Sequence, residues 1–121
     1  MKPVVVTNGN RGTVLLAEGR MAVHWKERLA GLMGRKILGA EEGLVIRPCE
    51  SIHTHWMRMP IDVVFIDVEG VAVRVFPNVK PWRMRFGGGR ADTVIEGPVG
   101  MIGRSGTEPG DRIRIDPPTS S

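Results

Sequence analysis

The chain has 121 residues, 41% of them hydrophobic and 25% charged, which suits one globular domain and is too short for two independent cores. Its longest apolar runs, at 14–17 and 63–66, exclude a transmembrane helix, and the N-terminal MKPVVVTNGN lacks the apolar stretch of a secretory signal. Because Cys49 is the only cysteine, an internal disulfide is excluded and we expect a cytoplasmic protein.

The net charge of +4 is unevenly distributed. Between Arg74 and Arg90 the chain has five cations and no acid, whereas the rest has twelve cations and thirteen acids. Any attraction for anions is therefore expected in this one segment.

The first half of the chain predicts short strands around one helix. Strands are predicted at 4–6 and 13–17, where β-branched and aliphatic residues stand between turn residues. An amphipathic helix is predicted over 23–33, because apolar residues recur there at helical spacing. A strand at 44–46 follows and is closed by Pro48.

The segment 48–67, PCESIHTHWMRMPIDVVFID, is the densest in uncommon side chains. Over 52–57 the two-residue period of a strand separates two faces. Pro60 favours a corner, and the apolar run 63–66 predicts a strand that is covered on both sides. The two faces carry Ile52, Thr54 and Trp56 on one side and His53, His55 and Met57 on the other.

The second half continues with strands and turns. A hairpin turn at Glu69-Gly70 leads into a strand at 71–76, and 77–92 is predicted as a long loop because it is rich in proline and glycine. Strands at 93–96 and 112–115 flank an irregular, glycine-rich stretch that ends in a turn at 108–111. We expect one β-rich domain over 1–116 and a disordered tail over 117–121.

Counting the predicted elements gives seven to nine short strands and one helix, with turns every eight to twelve residues. This pattern favours a mainly β fold, either a small β-sandwich or a partly closed barrel, with one short amphipathic helix at about residues 23–33.

The chain carries a series of short motifs over roughly residues 10–116. They are Arg28, Gly31, Leu32, Met33, Gly34 and Arg35, then Glu42-Gly43-Leu44, Pro48-Cys49, Ser51-Ile52-His53-Thr54, Met57-Arg58, Pro60-Ile61-Asp62-Val63-Val64-Phe65-Ile66-Asp67, Pro81-Trp82-Arg83 and Gly110-Asp111. In order and spacing these motifs resemble the prokaryotic family called domain of unknown function 192. The resemblance implies a compact, mainly β, jelly-roll-like sandwich and no established activity. One departure is Gly97, where the family pattern has a larger apolar residue.

A metal-dependent enzyme is one functional hypothesis. His53 and His55 would project from one strand face, and a carboxylate such as Asp62 or Glu96 could complete a site of two imidazoles and one carboxylate. The alternative is that His53 is a hydrogen-bonded structural group and that His55 lies on the surface.

A nucleophilic mechanism would pair Cys49 with His53 or His55 and orient the imidazole with Asp62. A lone cysteine in a β-rich core is more often a small buried hydrophobe, so we expect no catalytic residue. For Asp62 we favour a structural role, in which its carboxylate accepts backbone N–H groups at the corner after Pro60.

The basic segment 74–90 includes Trp82 and Phe86, a combination that permits stacking and phosphate contact. Five charges over seventeen residues are sparse for a nucleic-acid groove, so nucleic acid is not the expected ligand. Binding of an anionic polymer or of a partner protein through this segment remains an alternative.

We therefore expect a binding or accessory module rather than an enzyme, with a cleft beside the 48–67 segment for a small or anionic ligand. The identity of any metal or cofactor and the oligomeric state are left open. The predicted ligand-binding residues are His53, His55, Met57, Arg58, Asp62, Trp82 and Arg83.

Overall fold

The computed structural model describes residues 1–23, 27, 32 and 34–119. Most of the helix predicted over 23–33, and Ser120 and Ser121 of the predicted tail, lie outside these described residues. No helix of the described part is long and apolar enough to cross a membrane. The elements, in chain order, are β1 (Lys2–Asn8), β2 (Thr13–Ala22), β3 (Glu42–Ile46), β4 (Ser51–His53), β5 (Ile61–Ile66), β6 (Ala72–Val79), β7 (Met84–Phe86), β8 (Thr93–Gly97), α1 (Met101–Ser105) and β9 (Ile113–Asp116).

Seven strands form one curled sheet in the order β6-β5-β8-β3-β2-β1-β9, in which only β2 and β3 are parallel. The two edge strands meet where Val71 pairs with Arg112 in a single bridge. Backbone bonds from Gly110 to Ala72 (2.8 Å) and from Ile113 to Gly70 (2.7 Å) hold this junction. The sheet is therefore a curled half-barrel, which confirms the expected mainly β fold.

The interior of the half-barrel is filled by an apolar core that draws residues from all seven strands. Helix α1 adds Met101 and Ile102 to this core. Gly97 permits the close approach of the helix, because a Cβ at this position would lie 2.4 Å from the Met101 sulfur. Met101 therefore occupies the space that a larger residue at position 97 would need. This accounts for the glycine at the position where the chain departs from the family pattern.

The outer face of the sheet carries a second core. Strands β4 and β7 pair to form a small second sheet, which we call the ribbon. The ribbon covers the outer core and contributes Ile52 of β4 to it. Strand β5 contributes Val63 to this outer core and Val64 to the inner one, and all six of its residues are buried. The predicted strand that is covered on both sides is confirmed.

The glycine-rich stretch before residue 107 was expected to be irregular, but it contains α1. Gly100 and Gly106 flank the helix with φ angles of 106° and 70°, which a residue without a Cβ adopts readily. A helix of five residues is too short to show a period in the sequence. The prediction was wrong because these glycines bound the helix and do not prevent it.

The long loop predicted over 77–92 is also wrong in part. Strand β6 continues through Pro77 to Val79, which the sheet tolerates because β6 is an edge strand. Met84–Phe86 forms β7, whose partner β4 lies more than 30 positions earlier. Three residues with a distant partner give no recognisable local pattern.

Asp62 anchors α1 to the sheet. Its buried carboxylate accepts the backbone N–H groups of Ile102 at 2.9 Å, of Asn78 at 2.9 Å and of Gly100 at 3.2 Å. The structural role favoured by the sequence is thus present. The bonded N–H groups belong to β6 and to the start of α1, however, and not to the corner after Pro60.

We predict that Asp62→Ala lowers the free energy of unfolding by about 3 kcal/mol, because it leaves buried N–H groups without an acceptor. Asp62→Asn should cost less, since the amide oxygen still accepts part of the set. Urea unfolding measures both, with Asp116→Ala as an exposed carboxylate control. Equal stability of Asp62→Ala and wild type would refute this role.

Asp111 fastens the junction of the two sheet edges. Its carboxylate accepts from Arg11 at 2.6 Å, from Asn8 at 2.9 Å and from the N–H of Glu108 at 3.0 Å. These bonds, the one from Arg11 foremost, lower the pKa of Asp111 to about 2. The bond from Arg35 is the main cause that lowers the pKa of Glu42, likewise to about 2.

A carboxylate whose pKa is lowered on folding stabilises the protein above its unfolded pKa, and that contribution is lost as the pH falls through the folded value. We therefore expect the free energy of unfolding to decrease between pH of about 4.5 and about 2. Asp111→Asn should make this decrease shallower in urea titrations at several pH values. Asp116→Asn is the control, and an identical slope in the two variants would contradict the assignment to Asp111.

Candidate functional site

The ribbon presents one face to solvent above the outer core. Ser51 pairs with Phe86 and His53 pairs with Met84, and all four side chains are exposed. Ile52 lies between them on β4, points inward and is 5% exposed. The alternation of side chains along a strand therefore places His53 on the solvent side.

The alternation predicted over 52–57 ends early. Strand β4 stops at His53, and Trp56 follows in a turn with φ 69°. In consequence Trp56 is 68% exposed and Met57 only 4% exposed, the reverse of the predicted faces. A residue in the left-handed region redirects the chain, which the two-residue period cannot represent.

Thr54 connects β4 to the segment before β7. Its hydroxyl donates to the carbonyl of Lys80 at 2.7 Å and accepts the N–H of Arg83 at 2.9 Å. Its own N–H donates to the Arg83 carbonyl at 2.8 Å, and its carbonyl accepts the N–H of Trp82 at 3.1 Å. Thr54 is fully buried, so these bonds fix the position of Trp82 relative to the segment 48–67, which we call the motif segment.

Four rings follow one another on the exposed surface, and we call them the aromatic row. The rings of His53 and His55 stack with centroids 4.9 Å apart, and His55 lies 5.3 Å from Trp82. Trp82 contacts Trp56 edge to face at 4.7 Å. The row thus joins β4, the turn after it and the segment before β7.

Both tryptophans of the row have positive φ angles, 69° for Trp56 and 66° for Trp82. A bulky residue in the left-handed region costs roughly 1–3 kcal/mol, and such strain concentrates at functional sites. Both indoles are also largely exposed, so burial does not offset this cost. The Thr54 carbonyl holds the two tryptophans in place, since it accepts the N–H groups of Met57 at 3.2 Å and of Trp82 at 3.1 Å.

Two arginines lie close in the chain to the tryptophans of the aromatic row. Arg83 follows Trp82 and donates weakly to the carbonyls of Pro81 (3.4 Å) and Trp82 (3.5 Å), which keeps its guanidinium beside the row. Arg58 is exposed two residues after Trp56. Within residues 1–23, 27, 32 and 34–119, no ion pair involves Arg58, Arg74, Lys80, Arg83, Arg85 or Arg90.

The structure brings together only some of the predicted ligand-binding residues. His53, His55, Trp82 and Arg83 lie at the aromatic row, and Met57 is buried in the outer core. Asp62 bonds α1 on the inner side of the sheet and is not exposed.

No metal site of the predicted kind is assembled in the described part of the chain. There, no three His, Cys, Asp or Glu side chains lie close enough to hold a metal ion, so His53 and His55 are not joined by a carboxylate. The thiol of Cys49 donates to the carbonyl of Ser51 at 3.1 Å.

The motif segment borders a cavity of about 300 Å³. Its lining residues are Pro48, Cys49, Glu50, Ala91 and Asp92, and they do not include the aromatic row. This cavity is thus separate from the aromatic row, whose two tryptophans are exposed to solvent.

The family model DUF192, described as "Uncharacterized ACR", matches residues 4–115. The chain belongs to the DUF192 family. A UPF0127 protein of Pyrococcus furiosus is 34% identical over 109 residues, which cover 88% of this chain and 93% of that protein. The UPF0127 name, like the DUF192 name, carries no activity.

Two solved structures share the fold of this DUF192 protein. A protein of unknown function from Novosphingobium aromaticivorans has a TM-score of 0.77 and 28% identity, covering 93% of this chain and 83% of its own. A protein from Sinorhizobium meliloti has a TM-score of 0.75 and 22% identity, covering 95% and 96%. At this identity the second likeness concerns the fold alone.

The role of Thr54 and the extent of the exposed surface in this DUF192 protein were not predicted from the sequence. Thr54 was assigned to the face opposite the histidines, and its bonds to residues 80–83 depend on a contact 26 or more positions away. Met84 and Phe86, 52% and 56% exposed, extend the surface along β7. Their place in the basic segment was the only signal in the sequence.

We predict that Thr54→Val lowers the free energy of unfolding by about 1–3 kcal/mol, because the Lys80 carbonyl and the Arg83 N–H lose their buried partner. Thr54→Ser keeps the hydroxyl and should cost less. Urea unfolding measures stability, and the indole N–H signal of Trp82 in NMR spectra reports its surroundings. If Thr54→Val left both unchanged, the connecting role of Thr54 would be wrong.

Proposed function

We propose that this DUF192 protein is a binding module whose aromatic row holds a ligand with a flat ring and an anionic group. The observation that carries the proposal is the exposed contact of Trp82 with Trp56 and His55, made by two tryptophans in strained backbone conformations. Strain of this kind persists where the surroundings enforce it, and it supports a functional use of the exposed rings.

The chemistry of the row defines the ligand class. Indole and imidazole faces stack on flat rings. The side chain of Trp82 is accessible for such contact because the residue is 53% exposed. The guanidinium of Arg83 beside Trp82 can bind a phosphate or carboxylate of the same ligand. A ring and an anion held a few ångströms apart fit this arrangement.

The openness of the surface favours reversible binding over bond making. Catalytic sites exclude water so that charges act strongly on the reacting atoms. The rings of Trp56 and Trp82 instead face solvent, and their contribution is contact area. These features support a binding role for the row.

Two-dimensional NMR of the labelled protein tests the proposal, with adenosine 5′-monophosphate as the probe. We expect the probe to shift the indole N–H signals of Trp56 and Trp82, and ribose 5-phosphate, which lacks the base, to bind more weakly. Trp82→Ala should weaken binding of the nucleotide by about tenfold, the loss of one stacked ring.

Ile37→Ala is the matched control, because it removes another exposed apolar side chain, 77% exposed, at a position far along the sequence. It should bind the nucleotide as the wild type does. If neither tryptophan signal responds at millimolar nucleotide, or if Trp82→Ala binds unchanged, the proposed site is wrong.

A further inference from the structure

We infer that the ligand of this surface is a single strand of nucleic acid, in which several bases stack along the row and the ribbon while phosphates contact the cations around them. This inference rests on the proposed function, because it uses the same aromatic row. It goes further by naming an extended, polyanionic occupant.

The exposed surface is longer than one ring requires. From His53 the row passes through His55 and Trp82 to Trp56, with centroids 4.9, 5.3 and 4.7 Å apart. In the other direction the exposed side chains of Met84 and Phe86 continue along the same face of the ribbon. A small ligand would cover part of this surface, whereas a chain with repeated rings can use its whole length.

The charges favour a polyanion. Arg83 and Arg58 are exposed near the tryptophan end, and the Arg74 guanidinium donates to the carbonyl of Phe86 at 3.1 Å at the other end. Arg85 is the partner of the inward-pointing Ile52 and lies over the Phe76 ring at 5.7 Å, on the other face of the ribbon, so it does not add to the charge of this surface. By contrast, Arg11, Arg35 and Arg104 outside this surface each have an acidic partner.

The structure supports nucleic-acid binding better than the sequence alone does. Five charges over seventeen residues were sparse for a nucleic-acid groove when the segment was expected to be a loop. Strand β7 and the bonds of Thr54 instead fix this segment against β4, and Arg58 joins its cations from another part of the chain. Sparse charges count for more on a fixed surface that also stacks bases.

Exposed rings distinguish single strands from duplexes. In a duplex the base faces are covered by their neighbours, so they cannot lie on Trp56 or Trp82 without unstacking. An acidic polysaccharide supplies charge but has no aromatic bases to stack. We therefore expect a preference for single strands with little dependence on base sequence, since every base has a flat face.

Fluorescence anisotropy with a labelled thymidine strand of about 15 nucleotides tests the inference at several salt concentrations. We expect tighter binding than for thymidine 5′-monophosphate, weaker binding of a duplex of the same length, and a loss of affinity as salt increases. Trp82→Ala should weaken binding about tenfold or more, and Trp82→Phe should restore part of it. Arg83→Ala should reduce the salt slope by about 1.

Ile37→Ala and Arg112→Ala are matched controls, since each removes an exposed apolar or cationic side chain that belongs neither to the row nor to the ribbon, and both should bind as the wild type does. Amide spectra of each variant establish that it is folded, and a misfolded Trp82→Ala is replaced by Trp56→Ala. Dextran sulfate as competitor distinguishes general polyanion binding.

Three results would overturn the inference. A duplex that binds as tightly as the single strand, or dextran sulfate binding that is insensitive to Trp82→Ala and displaces the strand, would mean that charge alone is recognised. A strand that binds no more tightly than the mononucleotide would refute the extended occupant and leave the proposed function standing. If neither the mononucleotide nor the strand binds, both proposals fall together.

Discussion

The hydroxyl of Thr54 is the contact on which the exposed surface depends. It is bonded on one side to the Lys80 carbonyl and on the other to the Arg83 N–H, so it fixes two residues that lie on either side of Trp82 in the chain. A small buried hydroxyl in a strand-ending position can serve both as donor and as acceptor, and no aliphatic side chain of the same size replaces it. Strand β4 and the basic segment 74–90 therefore form one surface although they are far apart in the chain.

The two faces of the sheet have different tasks. The inner face is closed by α1, whose first residues are bonded to Asp62, and it carries the inner apolar core. The outer face is covered by the ribbon, whose opposite face is exposed to solvent. Consequently the residues between 48 and 67 divide into those that support the sheet and those that face solvent.

The sequence predicted the sheet better than the surface. Val63 to Ile66 was recognised as a strand covered on both sides because an apolar run without alternation has that meaning. Strand β7 and helix α1 were missed because three or five residues carry no readable period. Their presence depends on tertiary partners, β4 for the strand and Asp62 for the helix.

The candidate site was predictable in composition and not in arrangement. His53, His55 and Trp82 were named from the motif, and the structure places their rings next to one another. The exchange of Trp56 and Met57 could not be predicted, because a tryptophan with positive φ contradicts the usual preference of bulky residues. Placing Asp62 with the histidines ignored that it lies on the opposite side of the sheet.

The thioether of Met101 fills the interior of the half-barrel, and this limits where a ligand can bind. Some small barrels keep an internal chamber for a ligand, but here Met101 and Ile102 sit inside the curl, and Gly97 yields the room that the sulfur takes. The filled interior is consistent with the proposed site on the outer surface, at the aromatic row. In a relative with a smaller residue at position 101 we expect an internal cavity, which would be a second place for a ligand to bind.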